Sequence, residues 1–212
     1  ISRGFKTVSF NEYANIYVLN SCSVTENADR EARKIIRQAK RLNPGSSIIV
    51  TGCYAQLKPE ELAAVKEVDM IFGAKEKFNL LDHLDSIELN HKTKLFHSEI
   101  NSVSHFEPSF SSNDRTRSYL KVQDGCDYNC TFCTIPLARG ASRSSTVSKT
   151  LMSAKQAISS GAREIVLTGV NIGDFGVNSH EKFIDLLVSL NDLNDLDRIR
   201  ISSIEPNLLS ND

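Results

Sequence analysis

The sequence predicts an α/β fold, in which an amino-terminal parallel-sheet α/β domain is followed by part of a TIM-like (β/α) barrel. Apolar strand segments alternate with helical segments between residues 16 and 84, and they do so again between residues 119 and 202. Strands that are separated by helices normally pair in parallel. The stretch between the two series has the apolar pattern of neither a strand nor a helix. We therefore divide the chain into a first domain at 1–90, a connector at 91–117 and a second domain at 118–212.

The first series contains three strands and three helices. Its strand segments are the short apolar runs Ile16–Leu19, Ile48–Val50 and Met70–Phe72. The first helix is the clearest element, because Thr25 is a good N-cap and Pro44-Gly45 ends the helical pattern. The three predicted helices cover Glu26–Leu42, Pro59–Lys66 and Lys75–Leu84, and the second has proline near its first turn.

The connector is polar with scattered aromatic residues, and we expect a short hairpin within it. The second series starts with a strand that runs directly into a cysteine-rich loop, and Gly161 is a natural end for the helix that follows. Three strands cannot close a barrel, so we expect more chain beyond Asp212, and the front edge of the first domain looks truncated. The predicted elements of this series are Tyr119–Gln123, Val147–Ser160, Glu164–Thr168, Glu181–Leu190 and Arg198–Ser202.

The composition excludes several classes of protein. The 212 residues carry a formal net charge of −1, so the overall charge does not indicate a nucleic-acid partner, and only a local patch could do so. No apolar run approaches the length of a membrane span, and we expect no membrane association. Five cysteines without a signal peptide in the given residues indicate a metal-binding protein of the cytoplasm.

The most informative feature is the run Gly125–Cys133, in which Cys126, Cys130 and Cys133 form a C-x3-C-x2-C triplet. Three thiolates so close together suit a small, soft group, and an iron–sulfur cluster is the natural candidate. With three cysteine ligands, a four-iron cluster keeps one iron open for another ligand. Structural zinc is the alternative, but zinc usually takes four protein ligands, and the next cysteine or histidine after the triplet is His180. A loop that directly follows a strand lies at the carboxyl end of its sheet, where α/β active sites are found.

Cys22 and Cys53 form a second pair of interest. Cys22 follows the strand Ile16–Leu19, and Cys53 follows the strand Ile48–Val50 at almost the same offset. If these strands are parallel neighbours, both thiols lie at the same edge of the sheet. Two buried cysteines that act as small apolar residues are the alternative.

The predicted helix Glu26–Leu42 carries basic residues at helical spacing, which places them on one face. Such a face suits contacts with nucleic-acid phosphates, and an ordinary solvated helix face is the alternative. The basic residues are Arg30, Arg33, Lys34, Arg37, Lys40 and Arg41. The apolar face is predicted to contain Ala28, Ala32, Ile35, Ala39 and Leu42.

Several longer motifs occur in a fixed order along the chain. In the first domain these are Asn20–Asp29 and Thr51–Cys53. In the second domain they are Gly125–Gly140, Ser142–Ser144, Leu167–Asp174 and Ile201–Pro206. Together they resemble the methylthiotransferase family of radical S-adenosylmethionine enzymes, and the resemblance covers essentially the whole chain. It implies that the second domain is a partial barrel of the radical S-adenosylmethionine type.

The resemblance implies two [4Fe-4S] clusters in an intact enzyme, and S-adenosylmethionine as a further cofactor. Cys126, Cys130 and Cys133 would hold the cluster whose open iron binds S-adenosylmethionine, and reductive cleavage of that cofactor gives a radical. Cys22 and Cys53 would help to hold an auxiliary, sulfur-delivering cluster, whose first ligand in the family falls upstream of this chain. No catalytic side chain is identified. The residues expected to contact S-adenosylmethionine are Phe132, Arg143, Gly169, Asn171 and Glu205.

The resemblance also implies a substrate. The runs Lys121–Cys126 and Ser23–Asp29 are most similar to the branch that adds a methylthio group to carbon 2 of threonylcarbamoyladenosine beside the tRNA anticodon. The branches that act on isopentenyladenosine in tRNA or on an aspartate of a ribosomal protein are alternatives. The expected partners are tRNA and an electron donor such as flavodoxin or ferredoxin. A zinc-stabilised RNA-binding module without catalytic activity is the alternative from a different class of protein.

Overall fold

The computed structural model describes residues 4–86, 92–111 and 116–209. The chain divides into two compact units, Ile1–Val103 with Phe132–Ala138 and Ser104–Thr131 with Arg139–Asp212. The domain boundary expected at residues 90 and 91 lies outside the described residues.

The main sheet of the first unit has four strands in chain order, and every neighbouring pair is parallel. This confirms the predicted parallel α/β architecture. The strands are β1 (Ile16–Ser21), β2 (Ser47–Gly52), β3 (Met70–Phe72) and β4 (Lys94–Phe96). The fourth strand lies within the stretch that the sequence indicated as a connector. A three-residue strand without a buried residue has too little apolar pattern to stand out in the sequence.

The helices of the first unit follow the prediction in part. The first is confirmed at both ends, and the Thr25 hydroxyl caps it by accepting a hydrogen bond from the amide of Ala28 at 3.2 Å. Its buried side uses Ile36 in place of the predicted Ile35. The predicted helix Lys75–Leu84 is instead the 3₁₀ segment Glu76–Ser86. The α-helices here are α1 (Glu26–Leu42), α2 (Cys53–Leu57) and α3 (Pro59–Ala63).

The central strands β2 and β3 of the first sheet are buried on both faces. On one face, Ile48 and Val50 pack with residues of α1 such as Ile36. On the other face, Met70 and Phe72 pack with residues of the 3₁₀ segment. Burial on both faces explains why the central strand β2 is apolar almost throughout, as is usual in parallel sheets.

The main sheet of the second unit combines three parallel strands with one antiparallel edge strand, in the order β10-β9-β6-β5. A separate two-stranded ribbon pairs β7 with β8. β5 pairs antiparallel with β6. The short hairpin expected within the connector is therefore wrong in its bounds, because only β5 lies entirely in the connector, and its partner is the first strand of the second series. The strands are β5 (Ser109–Phe110), β6 (Arg117–Lys121), β7 (Gln123–Asp124), β8 (Arg143–Ser144), β9 (Glu164–Thr168) and β10 (Arg198–Ile201).

The remaining helices are α4 (Ile135–Arg139), α5 (Val147–Ser159) and α6 (Phe183–Asn191). The core of the second unit packs strand residues such as Leu120 and Leu167 with Ala154 of α5 and Leu186 of α6. The fold is therefore α/β in both units, and within the described residues the three parallel strands do not close into a barrel. Among those residues, no helix has the length and apolar character needed to cross a bilayer.

Candidate metal centre

The two amino-terminal cysteines lie at the carboxyl edge of the first sheet. β1 and β2 end with Ser21 and Gly52 as register partners. Cys22 directly follows the end of β1, and Cys53 directly follows the end of β2. Both cysteines therefore lie at the same edge of the sheet, as the sequence predicted. Cys22 is exposed and Cys53 is half-buried. The alternative of two buried core cysteines is therefore wrong.

Gly52 brings the two strand ends close together. The backbone φ angle of Gly52 is +97°, which residues other than glycine rarely adopt. A Cβ at this position would lie 2.2 Å from the carbonyl oxygen of Ser21 and 2.7 Å from Oδ1 of Asn20. Only glycine fits there, directly before Cys53.

A buried carboxylate fastens the segment that follows β1. Asp29, in the first turn of α1, is 2% exposed, and its Oδ1 accepts a hydrogen bond from the Ser23 hydroxyl at 2.6 Å. Lys58, which directly follows α2, donates to Oδ2 at 2.6 Å. The hydrogen bond to Asp29 raises the pKa of Lys58. Asp29 thereby joins the residue after Cys22 to the end of the short helix that begins at Cys53.

The cysteine triplet lies in an irregular loop between β7 and α4. Gly125 opens this loop with a φ of +72°, and a Cβ there would lie 2.0 Å from the carbonyl oxygen of Ala141. The amide of Cys126 donates to the carbonyl of Gly140 at 3.0 Å. Asp127 Oδ1 accepts a hydrogen bond from the amide of Ser142 at 2.9 Å. The start of the loop is thus held against residues 140–142.

All five cysteines lie in the described residues, and none of them forms a disulfide. In the triplet, Cys126 and Cys133 are half-buried and Cys130 is exposed. Within the part of the chain that the structure describes, no three His, Cys, Asp or Glu side chains are grouped closely enough to hold a metal ion. The backbone therefore presents the thiols without gathering them around one point. As a donor set, three cysteines on one loop fit an iron–sulfur cluster by their chemistry.

Three cations surround Asp124, which ends β7 at the base of the cysteine loop. Its carboxylate also accepts a hydrogen bond from the amide of Gly125 at 3.0 Å. Burial alone would raise the pKa of Asp124, but the neighbouring cations hold that pKa below its ordinary value. Three cations therefore share the single carboxylate of Asp124. The ion pairs join Asp124 to Lys121 at 2.9 Å, to Arg139 at 3.3 Å and to Arg143 at 3.4 Å.

Arg143, which was expected to contact S-adenosylmethionine, is buried and engaged within the protein. Besides Asp124, its guanidinium donates to the carbonyl oxygens of His105, Arg139 and Ala141 at 2.6 to 3.0 Å. Burial lowers the pKa of Arg143, although the charge of Asp124 opposes this effect. These contacts hold the chain around the cysteine loop.

Asn171 and Glu205, two further predicted contacts, lie beside each other in the loops after β9 and β10. Asn171 is buried, and its Nδ2 donates to Oδ2 of Asp174 at 3.2 Å. Its Oδ1 accepts a hydrogen bond from the backbone amide of Glu205 at 3.2 Å. The side chain of Glu205 is exposed. The amide of Asn171 thus organises these loops through contacts within the chain.

The remaining two predicted contacts differ strongly in exposure. Phe132 is 89% exposed. Gly169 is packed so closely that a Cβ would lie 2.7 Å from Cγ2 of Ile172 and 2.8 Å from Oε1 of Gln123. The structure therefore explains why residue 169 is glycine, whereas the role of Phe132 stays a prediction.

Sequence reasoning missed three buried polar residues that organise these regions: Asp29, Gln123 and Asp124. A signal for the last two was present, because Gln123 and Asp124 are polar residues at the end of a strand that leads into the cysteine loop. Buried polar groups in such positions need hydrogen-bond partners, and the partners come from the loops they support.

The basic face of α1 is largely neutralised by acids of the same unit. Arg37 and Arg41 are exposed, and neither has an ion-pair partner in the described part of the chain. The remaining four form the ion pairs Arg30–Glu26, Arg33–Glu61, Lys34–Glu31 and Lys40–Asp69.

Comparison with known proteins adds independent findings. The sequence profile of the family described as "Uncharacterized protein family UPF0004" matches residues 1–73. The protein named threonylcarbamoyladenosine tRNA methylthiotransferase MtaB of Aquifex aeolicus is 39% identical over an alignment of 207 positions, which covers 96% of this chain and 50% of that protein. The protein of the same name from Bacillus subtilis is 38% identical over an alignment of 215 positions, which covers 99% of this chain and 47% of that protein.

A relative with another name is more distant. The tRNA-2-methylthio-N(6)-dimethylallyladenosine synthase of Pelagibacter ubique is 28% identical over an alignment of 224 positions, which covers 99% of this chain and 49% of that protein. The chain spans about half the length of the curated relatives it matches. Over nearly its whole length, the chain is therefore similar to part of the proteins that are named as methylthiotransferases.

Proposed function

We propose that this chain is the cluster-bearing part of a radical S-adenosylmethionine enzyme, a transferase that adds a methylthio group to carbon 2 of threonylcarbamoyladenosine in tRNA. The observation that carries the proposal is the loop with Cys126, Cys130 and Cys133, in a chain whose relatives at 38–39% identity are named for this reaction. The second α/β unit is then part of a (β/α) barrel of the radical S-adenosylmethionine type.

In this proposal, the triplet holds one [4Fe-4S] cluster through its three thiolates, and the open iron receives S-adenosylmethionine. When bound, this pair would supply a radical that abstracts hydrogen from a carbon that acid–base chemistry cannot activate. The chain's own part is to hold the loop. Asp124 pairs with both Arg139 and Arg143 and so ties these two cations to the base of the loop.

S-adenosylmethionine would then lie near the loops after β9 and β10, at the carboxyl end of the second sheet. Ligands of open α/β sheets bind outside the carboxyl ends of parallel strands. Glu205 offers an exposed carboxylate to a cationic group, and Phe132 offers an exposed ring. Gly169 would contribute only its backbone, because Ile172 and Gln123 fill the space that a side chain at residue 169 would take. We assign Asn171 to supporting these loops and Arg143 to supporting the cysteine loop, because their polar atoms already have partners.

We assign Cys22 and Cys53 to an auxiliary [4Fe-4S] cluster that delivers sulfur. Their shared position at the carboxyl edge of one sheet, with neither thiol buried, supports this assignment. Two thiols do not complete a three-cysteine site. A third ligand from elsewhere in the natural protein is part of the proposal.

The domain organisation proposed from the sequence places the methylthiotransferase amino-terminal domain at 1–90, a connector at 91–117 and the radical domain at 118–212. The proposed partners are tRNA and an electron donor such as flavodoxin or ferredoxin, in the cytoplasm. The surface proposed to contact tRNA is the basic face of α1, where Arg37 and Arg41 supply charge that no acid of the described chain pairs.

The decisive experiment uses the natural protein that contains this chain, purified without oxygen and reconstituted with iron and sulfide. Incubation with S-adenosylmethionine, a reductant and unmodified tRNA, followed by mass spectrometry of the nucleosides, should reveal methylthio-threonylcarbamoyladenosine. Methylthio-isopentenyladenosine in its place would move the enzyme to the other tRNA branch. A modified ribosomal-protein aspartate would move it to the protein branch. A colourless protein that holds zinc and forms no product would overturn the proposal in favour of an RNA-binding module.

A further inference from the structure

Gln123 is a fully buried residue whose polar atoms all have partners in loops of the second unit. It is 0% exposed and lies in the short strand β7, before the cysteine loop. A buried side-chain amide has two N–H donors and one carbonyl acceptor to satisfy. In this protein, the donor end and the acceptor end are satisfied by different loops.

The donor end holds the base of the cysteine loop. Nε2 of Gln123 lies 2.8 Å from the carbonyl oxygen of Gly125 and 3.1 Å from that of Asp124. It also lies 2.8 Å from Oγ of Ser142, which belongs to the returning segment beside the loop. These contacts fix the residue that directly precedes Cys126.

The acceptor end holds the loop that follows β9. Oε1 of Gln123 accepts hydrogen bonds from the backbone amides of Val170 at 2.8 Å and Asn171 at 2.9 Å. Gly169 makes this approach possible, because a Cβ at that position would lie 2.8 Å from the same oxygen. The glycine and the glutamine therefore form one fitted contact.

The sheet explains why one side chain reaches both loops. β6 and β9 are parallel neighbours, and their last register partners are Lys121 and Thr168. Residues just beyond these partners leave the sheet at the same edge, so Gln123 and the loop from Gly169 to Asn171 face each other. This is the edge at which parallel α/β sheets bind their ligands.

We propose that Gln123 is a positioning residue that sets the spacing between the cysteine loop and the loop at 169–171. The side-chain amide acts as a spacer because its Nε2 binds the loop that carries the thiolates and its Oε1 binds the loop at 169–171. The backbone of the second loop is the part expected to approach S-adenosylmethionine. The inference rests on the proposed function for its chemical meaning, whereas the spacer itself is a property of the protein without cofactors. Loss of the spacer should therefore loosen both loops and weaken S-adenosylmethionine binding, while the three cysteines keep their iron.

The first arm of the test uses the 212-residue chain without cofactors. Gln123→Leu keeps the approximate volume and removes every hydrogen bond, so the amides of Val170 and Asn171 should exchange with solvent about tenfold or more faster. Gln123→Glu keeps an acceptor for these amides and removes the donors, so their exchange should stay near that of the wild type. Gln156→Leu, at an exposed position on α5, is the matched control and should change neither amide. Unchanged protection in a folded Gln123→Leu protein would overturn the spacer.

The second arm uses the reconstituted natural protein and S-adenosylmethionine itself as the probe. Both Gln123 variants should retain the iron content of the wild type and bind S-adenosylmethionine about tenfold or more weakly. The electron paramagnetic resonance spectrum of each variant with S-adenosylmethionine should differ from that of the wild type with S-adenosylmethionine. Wild-type affinity in both variants would refute the positioning role even if the loops have loosened. If the wild type itself binds no S-adenosylmethionine, the proposed function fails, and the exchange arm still reports on the spacer. If Gln123→Leu fails to fold, Gln123→Glu alone decides. The spacer predicts faster amide exchange in the cysteine loop and unchanged exchange at Val170 and Asn171, and equal exchange rates in both loops would overturn it.

Discussion

The carboxylate of Asp29 lies 2.6 Å from the ammonium nitrogen of Lys58, and Asp29 is almost completely buried whereas Lys58 is half-exposed. The same carboxylate holds the hydroxyl of Ser23, so a single acid anchors the chain on either side of the Cys22 and Cys53 edge. A buried carboxylate is destabilising when its oxygens lack hydrogen-bond donors. In Asp29 each oxygen has a donor, the Ser23 hydroxyl for one and the Lys58 ammonium for the other.

Asp29→Ala should lower the free energy of unfolding by about 1–3 kcal/mol, because it removes both hydrogen bonds of a buried site. Denaturant unfolding measures the change. Glu31→Ala is the matched control on the same helix, since Glu31 is exposed and its ion pair with Lys34 spans 3.5 Å. That variant should stay within about 0.5 kcal/mol of the wild type. Equal stability of the two variants would show that Asp29 anchors nothing.

Gly52→Ala should destabilise the protein more than Gly161→Ala does. Both glycines have similar φ values, +97° and +100°, but only at Gly52 would a Cβ collide with backbone, whereas nothing lies within 4 Å at Gly161. Gly161→Ala should cost about 1–2 kcal/mol for its left-handed conformation alone. Gly52→Ala should cost roughly 1–3 kcal/mol beyond that, for the displaced strand end. Thermal and urea unfolding of the two variants would measure the difference, and similar losses would contradict the close approach of β1 and β2.

Glu164 should make the second unit more sensitive to acid. It lies in register with Arg117 on β6 and Arg198 on β10, and it also pairs with Arg200 at 2.8 Å. Burial would raise the pKa of Glu164, but its arginine partners lower that pKa below its ordinary value of 4.5. Because the folded-state pKa is the lower one, the stabilisation is complete above about pH 4.5 and is lost as the pH falls through the folded pKa.

Glu164→Gln should therefore melt at a lower temperature than the wild type at pH 7, and the gap should shrink steadily below pH 4.5. Melting curves at several pH values between 7 and 3 would test this. Asp195→Asn, at an exposed acid that pairs with Arg163 at 3.4 Å, is the control and should show a small gap. A gap for Glu164→Gln that is independent of pH would exclude the charge of Glu164 as its source.

Replacing any one of Cys126, Cys130 or Cys133 with alanine should abolish cleavage of S-adenosylmethionine in the reconstituted natural protein. A cluster with two cysteine ligands is labile, and its open iron is misplaced. Production of 5′-deoxyadenosine is the measurement. Undiminished production by Cys130→Ala would reject the assignment of the triplet.

Cys22→Ala and Cys53→Ala should behave differently, because these residues lie on another sheet. Both variants should still cleave S-adenosylmethionine while they lose methylthio product, which mass spectrometry of tRNA nucleosides detects. The 212-residue chain itself, with one complete triplet, should hold about four irons after anaerobic reconstitution. Loss of cleavage in Cys22→Ala would defeat the separation of the two roles.

Arg37 and Arg41 should contribute more to tRNA affinity than an equal number of basic residues elsewhere on the first unit. The double variant with alanine at both positions should weaken binding and flatten its dependence on salt by about one unit of slope per lost phosphate contact. The control replaces the exposed Lys66 and Lys75 with alanine, which leaves the net charge equal to that of the test variant. If the affinity of both double variants for tRNA depends equally on salt, the basic face of α1 is not part of the surface that contacts tRNA.

The elements predicted well are those with strong local signals. The helix α1 matches its predicted bounds because its cap, its length and its stop signal agree. β3 and β9 match for a similar reason, since each is a buried apolar run between polar segments. The strand β4 was not predicted, because tertiary pairing with β3 creates it from three residues that are not fully buried.

The candidate site was predictable in its cysteines but not in its supports. A cysteine triplet and a matched pair after two strands are visible as spacings. By contrast, the partners of Gln123 lie up to 48 residues away, in Val170 and Asn171, and no local pattern encodes such a contact. Arg143 shows the converse case. An arginine beside the cysteine motif suggested a contact with S-adenosylmethionine, which stays a prediction, whereas the structure shows that its guanidinium is buried against carbonyl groups of the chain.

The contact between Gly52 and Ser21 belongs to a sheet whose strands pack on an apolar core, and burial of that core supplies folding energy that needs no metal. We therefore expect sheet pairing alone to set where the chain leaves β1 and β2. The edge with Cys22 and Cys53 is therefore a template that exists in advance, unlike small zinc domains, in which the metal supplies the folding energy. Whatever group these two thiols receive, it would be inserted into a finished scaffold, and its removal by a chelator would leave the first unit folded and ready to be reloaded.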